Sequence, residues 1–346
     1  MGITDPIRDH GGDLAGAAAR FGAPAEPWID LSTGINPWAW PWPGPTAPVD
    51  PAAWHRLPDR AALAGLKDAA AAFYGCAPAA VAAAPGSQAL IQVLPRLVAR
   101  GRVQVVGPTY AEHARCWARA GHSVEAVETP ARADGPVVVV GNPNNPDGRA
   151  HAPGDLLDLA DRLAARGGTL VVDEAFAEVR PDVSVAPWAG RPGLVVLRSF
   201  GKFFGLAGLR LGFALAGPAL VAAVEDELGP WSVSGPALAI GASALADRGW
   251  QAAARARLEE GASALDAVLS RAGIEVVGGT SLFRLVSDAR AARIHEALGR
   301  AGILVRAFEA RADWLRFGLP GDAAGLERLD RALRDALGLA PPARTP

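Results

Sequence analysis

Between residues 60 and 200 the apolar positions follow two alternating rhythms. Spacings of three and four predict helices over 61–73, 88–99, 111–120 and 155–165. Short continuous apolar runs at 103–106, 137–140, 170–172 and 194–197 predict strands between them. Such an alternation describes an α/β fold built on a large, doubly wound, mostly parallel sheet. Beyond it an Ala- and Leu-rich helical tract is expected over 237–272. Strands near 275–277 and 282–286, a helix over 291–301 and a last helix near 323–337 follow, which together read as a smaller α+β domain. The first 45 residues are irregular. Within them 40–48 (WPWPGPTAP) reads as an extended or turn segment, either a surface linker or a lid. The expected organisation is an N-terminal segment (1–45) associated with the small domain and the site, a large domain (46–235) and a small C-terminal domain (236–346).

Composition narrows the classes. A chain of 346 residues has room for two domains. Half the residues are apolar, a fifth are charged, and the net charge is −2 with both signs interspersed. That leaves no electrostatic footprint for nucleic acid or an anionic membrane. The most membrane-like stretch, 203–224, has Lys202 at its edge and Arg210 inside it, so a spanning helix is not expected. Cys76 and Cys116 make no disulfide framework, and the opening MGITDPIRDH has no apolar signal core, so a cytoplasmic enzyme is expected. Of the 34 basic residues only Lys67 and Lys202 are lysines. Arginine cannot supply a neutral amine, which draws attention to those two.

Candidate chemistry falls where predicted strands end. Pro85-Gly86-Ser87 opens a helix whose free N–H groups could hold a phosphate, or could simply be capped. Asn142-Pro143-Asn144-Asn145-Pro146-Asp147-Gly148 follows one apolar run and suits a tight turn. Asp173 ends another. Ser199-Phe200-Gly201-Lys202 follows a third, with Gly208-Leu209-Arg210 eight residues past the lysine.

Taken together, the ordered set of Gly-Ser loop, Tyr110, Asn145, Asp173, Ser199, Lys202 and Arg210 resembles the aspartate-aminotransferase family, the type I fold of pyridoxal-5′-phosphate (PLP) enzymes. NPNNPDG is similar to that family's NPxNPTG motif, and SFGKFFGLAGLR to its S-x-x-K-x-x-x-x-x-G-x-R motif. The resemblance covers about residues 5–337. It implies PLP attached covalently to Lys202, which also moves protons at the substrate Cα. It implies Asp173 on the pyridine nitrogen, Tyr110 stacked on the ring and Asn145 on the 3′ oxygen. Gly86, Ser87, Ser199 and Arg210 would hold the cofactor phosphate, with Gln88 and Phe176 completing the cofactor set and no metal. A homodimer is implied as well. Two positions depart from the pattern: Phe176 stands where Tyr is common, and Arg56-Leu57-Pro58-Asp59 lacks the Tyr that many members send to a neighbouring subunit's cofactor phosphate.

His10-Gly11-Gly12-Asp13 and the stretch 28–37 (WIDLSTGINP) resemble, within that fold, the threonine-phosphate decarboxylases of cobalamin biosynthesis. This implies a small phosphorylated amino acid as substrate, contacted by His10, Gly34, Asn36, Asn145, Arg306 and Arg316. Arg316 matches the arginine that grips a substrate carboxylate, and Arg306 sits where members with phosphorylated substrates place a cation. The division of these groups between phosphate and carboxylate stays open at this level. Histidinol-phosphate aminotransferase is the alternative within the fold; the HGGD start and Leu282-Phe283 stand against it. A PLP-dependent transcriptional regulator would need an additional DNA-binding domain.

Overall fold

The computed structural model describes residues 10–42 and 49–340; the middle of the Trp-Pro segment and the tail after Ala340 lie outside them. Two compact units are present. Residues 39–252 form the larger, and residues before 39 join those after 252 in the smaller. The boundaries therefore fall near 38 and 252, where 45 and 235 were expected. The later boundary has a clear cause: the helix Gly235–Ala246 packs on the helix Arg60–Tyr74 and stays with the larger unit.

Strands are numbered in chain order: β1 Ile29–Asp30, β2 Val81–Ala84, β3 Arg102–Val106, β4 Ser123–Val127, β5 Val137–Gly141, β6 Thr169–Asp173, β7 Leu194–Ser199, β8 Gly212–Leu215, β9 Val276–Thr280, β10 Phe283–Ser287, β11 Ile303–Leu304, β12 Arg306–Phe308 and β13 Arg311–Gly318. The larger unit holds one sheet in the order β2-β8-β7-β6-β5-β3-β4. The strands β3 to β7 are mutually parallel, and β8 runs antiparallel to both of its neighbours. The central strands β5 and β6 are continuous Val/Leu runs because helices cover both faces; Val138, Val139, Leu170 and Val172 are fully buried. Burying each such side chain contributes about 1.5–3 kcal/mol. Three strands of this sheet escaped the hydrophobic pattern. β2 (VAAA) has a helix former's composition, yet is wholly buried, so tertiary packing overrides propensity. β4 (SVEAV) is an edge strand with polar outward positions. β8 lies inside the apolar stretch that resembled a membrane segment. Among the described residues no helix is long and apolar enough to cross a membrane.

The expected single helix over 237–272 is two helices, Gly235–Ala246 and Arg248–Arg271. Asp247 breaks it. Its backbone leaves the helical region, its Oδ1 accepts from Trp250 N at 3.0 Å, and its Oδ2 accepts from Trp40 Nε1 at 3.1 Å. An Asp that caps the next helix competes with continuing the first.

In the smaller unit an antiparallel sheet runs β12-β13-β10-β9, and β1 pairs in parallel with β11. The β1–β11 pair joins chain segments more than 270 residues apart: Ile29 sits opposite Ile303 and Asp30 opposite Leu304. Arg328, on the helix Ala323–Leu337, clamps both strand entrances by donating to Pro27 O and Ala301 O, each at 2.6 Å. Gly302 has φ +73°, and a Cβ there would lie 2.5 Å from Arg328 Nη2, so the clamp itself requires glycine.

Candidate active site

In an open α/β sheet, ligands bind beyond the carboxyl ends of the strands, where the strand order reverses. Here the reversal lies between β3 and β5. The loop after β3 carries Tyr110, and the loop after β5 carries Asn145. Asn144 ties the two loops together, since its Nδ2 donates to Pro108 O at 2.8 Å and to Asp147 Oδ1 at 2.7 Å. Asn142 Nδ2 donates to Val183 O at 2.8 Å. Of the three motif asparagines, Asn142 and Asn144 are buried and build the loop, while Asn145 is half-buried at its rim.

Asp173 ends β6 and is buried. Its Oδ2 meets His113 Nε2 at 2.8 Å, and its Oδ1 accepts from Ala175 N at 3.1 Å. His113 was not among the residues expected from sequence. It lies three positions after Tyr110 on the helix Ala111–Arg119, so one helical turn carries both the ring and the partner of the acid. That Tyr-x-x-His spacing is the signal that could have found it. The Tyr110 hydroxyl donates to Gln88 Oε1 at 3.1 Å, and Gln88 Nε2 donates to Glu112 Oε2 at 3.0 Å, which fixes the aromatic ring from its far end.

Gly86 precedes the helix Ser87–Leu97 with φ +89°. A Cβ there would sit 2.6 Å from Arg210 Nη2, and a Cβ on Gly212 would sit 2.4 Å from Ser87 N. Ser199 is the register partner of Gly212. The helix start, Ser199 and the Arg210 guanidinium therefore converge on one small cradle. Backbone donors beside a guanidinium suit a phosphate, and only glycine leaves room for them. Lys202 is half-buried in the short helix Phe200–Phe203, its Nζ 5.9 Å from the centre of the Phe176 ring. Gly201 allows that turn to pack closely, since a Cβ would reach 2.6 Å from Ala207 Cα.

Behind these residues lies a buried ionic cluster that sequence reasoning also missed. Arg198, the residue before Ser199, pairs with Glu174, the residue after Asp173, and with Glu178 at 2.9 Å. Its guanidinium stacks 4.5 Å from the Tyr74 ring centre. Glu174 also accepts from Ser184 Oγ and Val185 N, both at 2.6 Å. Burial pushes both carboxyls up, and Arg198 pulls against that shift. For Arg198 itself burial pushes down, but the carboxylates outweigh it and hold the group firmly charged.

The smaller unit assembles a second set of groups. Arg306 and Arg316 are direct cross-strand partners in β12–β13, so both side chains leave the same face of the sheet. Arg316 is buried, donates from Nη2 to Ser32 O at 2.6 Å, and lies 5.1 Å from the Phe283 ring centre. Asn36 is buried, its Oδ1 accepting from Trp38 N at 2.9 Å. Gly34 has φ +62°, which turns the chain between Ser32 and Asn36. His10 is half-buried at the head of Gly11-Gly12, whose Gly12 N donates to Ser32 Oγ at 2.8 Å. The structure thus places Lys202, Asp173, Tyr110, Asn145, Phe176, Gln88, Ser199, Arg210, Gly86 and Ser87 in the larger unit, and His10, Gly34, Asn36, Arg306 and Arg316 in the smaller.

Comparison with known proteins gives the relationship. Residues 48–333 match the family model for aminotransferase class I and II. A threonine-phosphate decarboxylase from Sinorhizobium is 50% identical over 335 residues, covering 95% of this chain and 97% of that protein. One from Pseudomonas aeruginosa is 48% identical, covering 94% and 97%. The solved structure of histidinol-phosphate aminotransferase from Sinorhizobium meliloti in complex with pyridoxal-5′-phosphate superposes with a TM-score of 0.81 at 21% identity, covering 98% of each chain. The chain belongs to the class I and II aminotransferase family.

Proposed function

We propose that this protein is a PLP-dependent decarboxylase acting on L-threonine O-3-phosphate, with (R)-1-amino-2-propanol O-2-phosphate as product, in the assembly of the cobalamin nucleotide loop. The cross-strand pair Arg306–Arg316 carries this reading. Cross-strand partners present their side chains on one face of the sheet, and two arginines there suit a substrate that carries both a phosphate and a carboxylate. Identity of 48–50% to proteins named threonine-phosphate decarboxylase supports the same chemistry.

The cradle of Gly86, Ser87, Ser199 and Arg210 fits the cofactor phosphate. Asp173, fixed by His113 and by Ala175 N, would hold a proton on the pyridine nitrogen. Tyr110, its hydroxyl engaged by Gln88, would stack on the cofactor ring, and Asn145 would serve the 3′ oxygen, where Phe176 offers no hydroxyl. When bound, PLP supplies an electron sink for a bond breaking at the substrate Cα. Lys202 supplies the amine that carries the cofactor and moves the proton at Cα. The smaller unit's residues select which bond breaks. His10, Asn36 and Arg306 would hold the substrate phosphate and Arg316 the carboxylate, which would fix rotation about Cα and select the carboxylate as the group that leaves. Binding energy at the remote phosphate is thereby spent on orientation at the reacting carbon. Carbon dioxide leaves Cα and one proton takes its place.

The working unit is a cytoplasmic homodimer. Trp54, Leu57 and Trp231 are 60%, 67% and 59% exposed on the larger unit, an apolar surface suited to a second copy. Sedimentation at about twice 35.6 kDa is the expected result, and an active monomer refutes it. Function is tested by supplying L-threonine O-3-phosphate to the purified holoenzyme and measuring carbon dioxide. If glutamate and imidazole-acetol phosphate instead yield histidinol phosphate, the protein is an aminotransferase.

A further inference from the structure

All polar handles of one buried side chain are used to join the pieces of the substrate end. Ser32 is 1% exposed. Its N–H and its hydroxyl both donate to Asp30 Oδ1, at 2.8 and 2.5 Å. The same hydroxyl oxygen accepts from Gly12 N at 2.8 Å, and the Ser32 carbonyl accepts from Arg316 Nη2 at 2.6 Å. A Cβ on Gly11 would lie 2.5 Å from Ser32 O and 2.7 Å from Ser32 Oγ, so the Gly-Gly segment lies directly on this serine. Its neighbour Leu31 is fixed on both sides, donating to Leu304 O at 2.8 Å and accepting from Gly318 N at 2.6 Å. Ser32 is therefore held rigidly to the end of β11 and the end of β13. From that fixed point it holds the segment that begins at His10 and the guanidinium of Arg316.

We infer that Ser32 is a positioning residue for substrate selectivity: polarised by Asp30, its hydroxyl docks the His10-Gly11-Gly12 segment, while its carbonyl sets the direction of Arg316. This rests on the reading of His10 and Arg316 as substrate ligands. The chemistry requires a hydroxyl at this place. A carboxylate-bound O–H leaves the oxygen lone pairs for a backbone donor, a relay that an apolar side chain cannot make. Removing it leaves the Gly12 amide short of its acceptor and takes one of two donors from Asp30 Oδ1, at a place where a lost hydrogen bond is worth about tenfold in an equilibrium. Ser32, Asp30, Gly12 and Arg316 all belong to the smaller unit and the cofactor candidates to the larger, so the loss is expected in the binding of the phosphorylated substrate.

The experiment is a double-variant cycle on the holoenzyme with Ser32→Ala, His10→Ala and both, reading KM and kcat for L-threonine O-3-phosphate, with Asp30→Asn as the conservative companion. Ser32→Ala should raise KM about tenfold with kcat changed far less and the bound-cofactor absorbance unaltered. The double variant should be no worse than His10→Ala alone, because the serine acts through the segment that begins there. Asp30→Asn keeps an oxygen acceptor for the serine and should fall between wild type and Ser32→Ala. Hydrogen exchange of the peptide containing Gly12 should quicken in Ser32→Ala. If the two substitutions multiply while His10→Ala alone weakens binding, the positioning role is wrong and the substrate reading stands. If His10→Ala leaves KM unchanged, the reading of His10 as a phosphate ligand fails and the role given to Ser32 falls with it. A loss of kcat without a KM shift in both Ser32→Ala and Asp30→Asn marks a merely structural serine and overturns the proposal.

Discussion

The two units bury arginine in opposite ways. In the larger, Arg198 sits between Glu174 and Glu178 and over Tyr74, its charge answered inside the protein. In the smaller, Arg316 is almost as deeply buried, with Arg306 as its register partner on β12 and a donor bond to the Ser32 carbonyl. A buried cation surrounded by its own carboxylates is part of the scaffold. A buried arginine in register with a second arginine is the arrangement to which the proposed function assigns the substrate's anions. The first arrangement supports Asp173 and Ser199, which are its neighbours in sequence; the second is the proposed substrate end.

The largest expected effect falls on neither arginine. Lys202→Ala should lower carbon dioxide release by roughly 10⁴-fold or more, since it removes both the cofactor's attachment and the group that moves the proton. Borohydride should then fix no cofactor, whereas in the native enzyme it labels the peptide containing Lys202 and spares Lys67. Arg306→Ala comes next. A site built for a phosphate can reject analogues lacking it by roughly 10⁴-fold, and this variant should lose most of that preference between threonine phosphate and threonine. Its thermal stability without substrate should change little, because the replaced side chain is only half-buried. Arg198→Met should act on stability instead. Leaving two buried carboxyls without their cation should destabilise the fold by about 3–5 kcal/mol, read by denaturant unfolding. Equal stability losses in the two variants would erase the contrast between the units. His113→Ala should weaken cofactor retention by about 10- to 100-fold, in line with loss of a charge-assisted hydrogen bond to Asp173, with little change in substrate selectivity.

The smallest effect is on pH. Burial holds His295 of the smaller unit and His151 of the larger below their ordinary value of 6.5, with Arg20 adding to the shift for the first and Arg149 for the second. A histidine depressed in the folded state binds fewer protons there than in the unfolded chain. Its contribution is complete above 6.5 and is lost as pH falls through the depressed value. Unfolding midpoints should therefore drop between pH 7 and 5. His295→Gln and His151→Gln should each flatten part of that drop, and a slope unchanged in both would show that other groups govern it.

The candidate cofactor residues were legible in the sequence because a doubly wound sheet delivers them in chain order. Each strand end contributes one short local motif, so Gly86-Ser87, Tyr110, Asn145, Asp173, Ser199 and Lys202 could be found without knowing which strands touch. The same locality explains the misses. His113 matters through a bond to Asp173, 60 residues away, and Arg198 through partners 20 or more residues before it; neither stands in a motif that names its partner. Local pattern also misjudged β2, whose alanines favour a helix until burial between neighbouring elements decides otherwise, and the tract at Asp247, where one cap outweighs a helical composition. At the substrate end the sequence supplied candidates at both termini but no means of joining them. Only the parallel pairing of β1 with β11, the register of Arg306 with Arg316 and the bond from Arg316 to Ser32, 284 residues apart, bring them together. Residue type and local spacing fix what chemistry a chain can do, whereas contacts between distant segments depend on which burial and pairing are jointly most favourable over the whole chain, and that is a property of the folded structure alone.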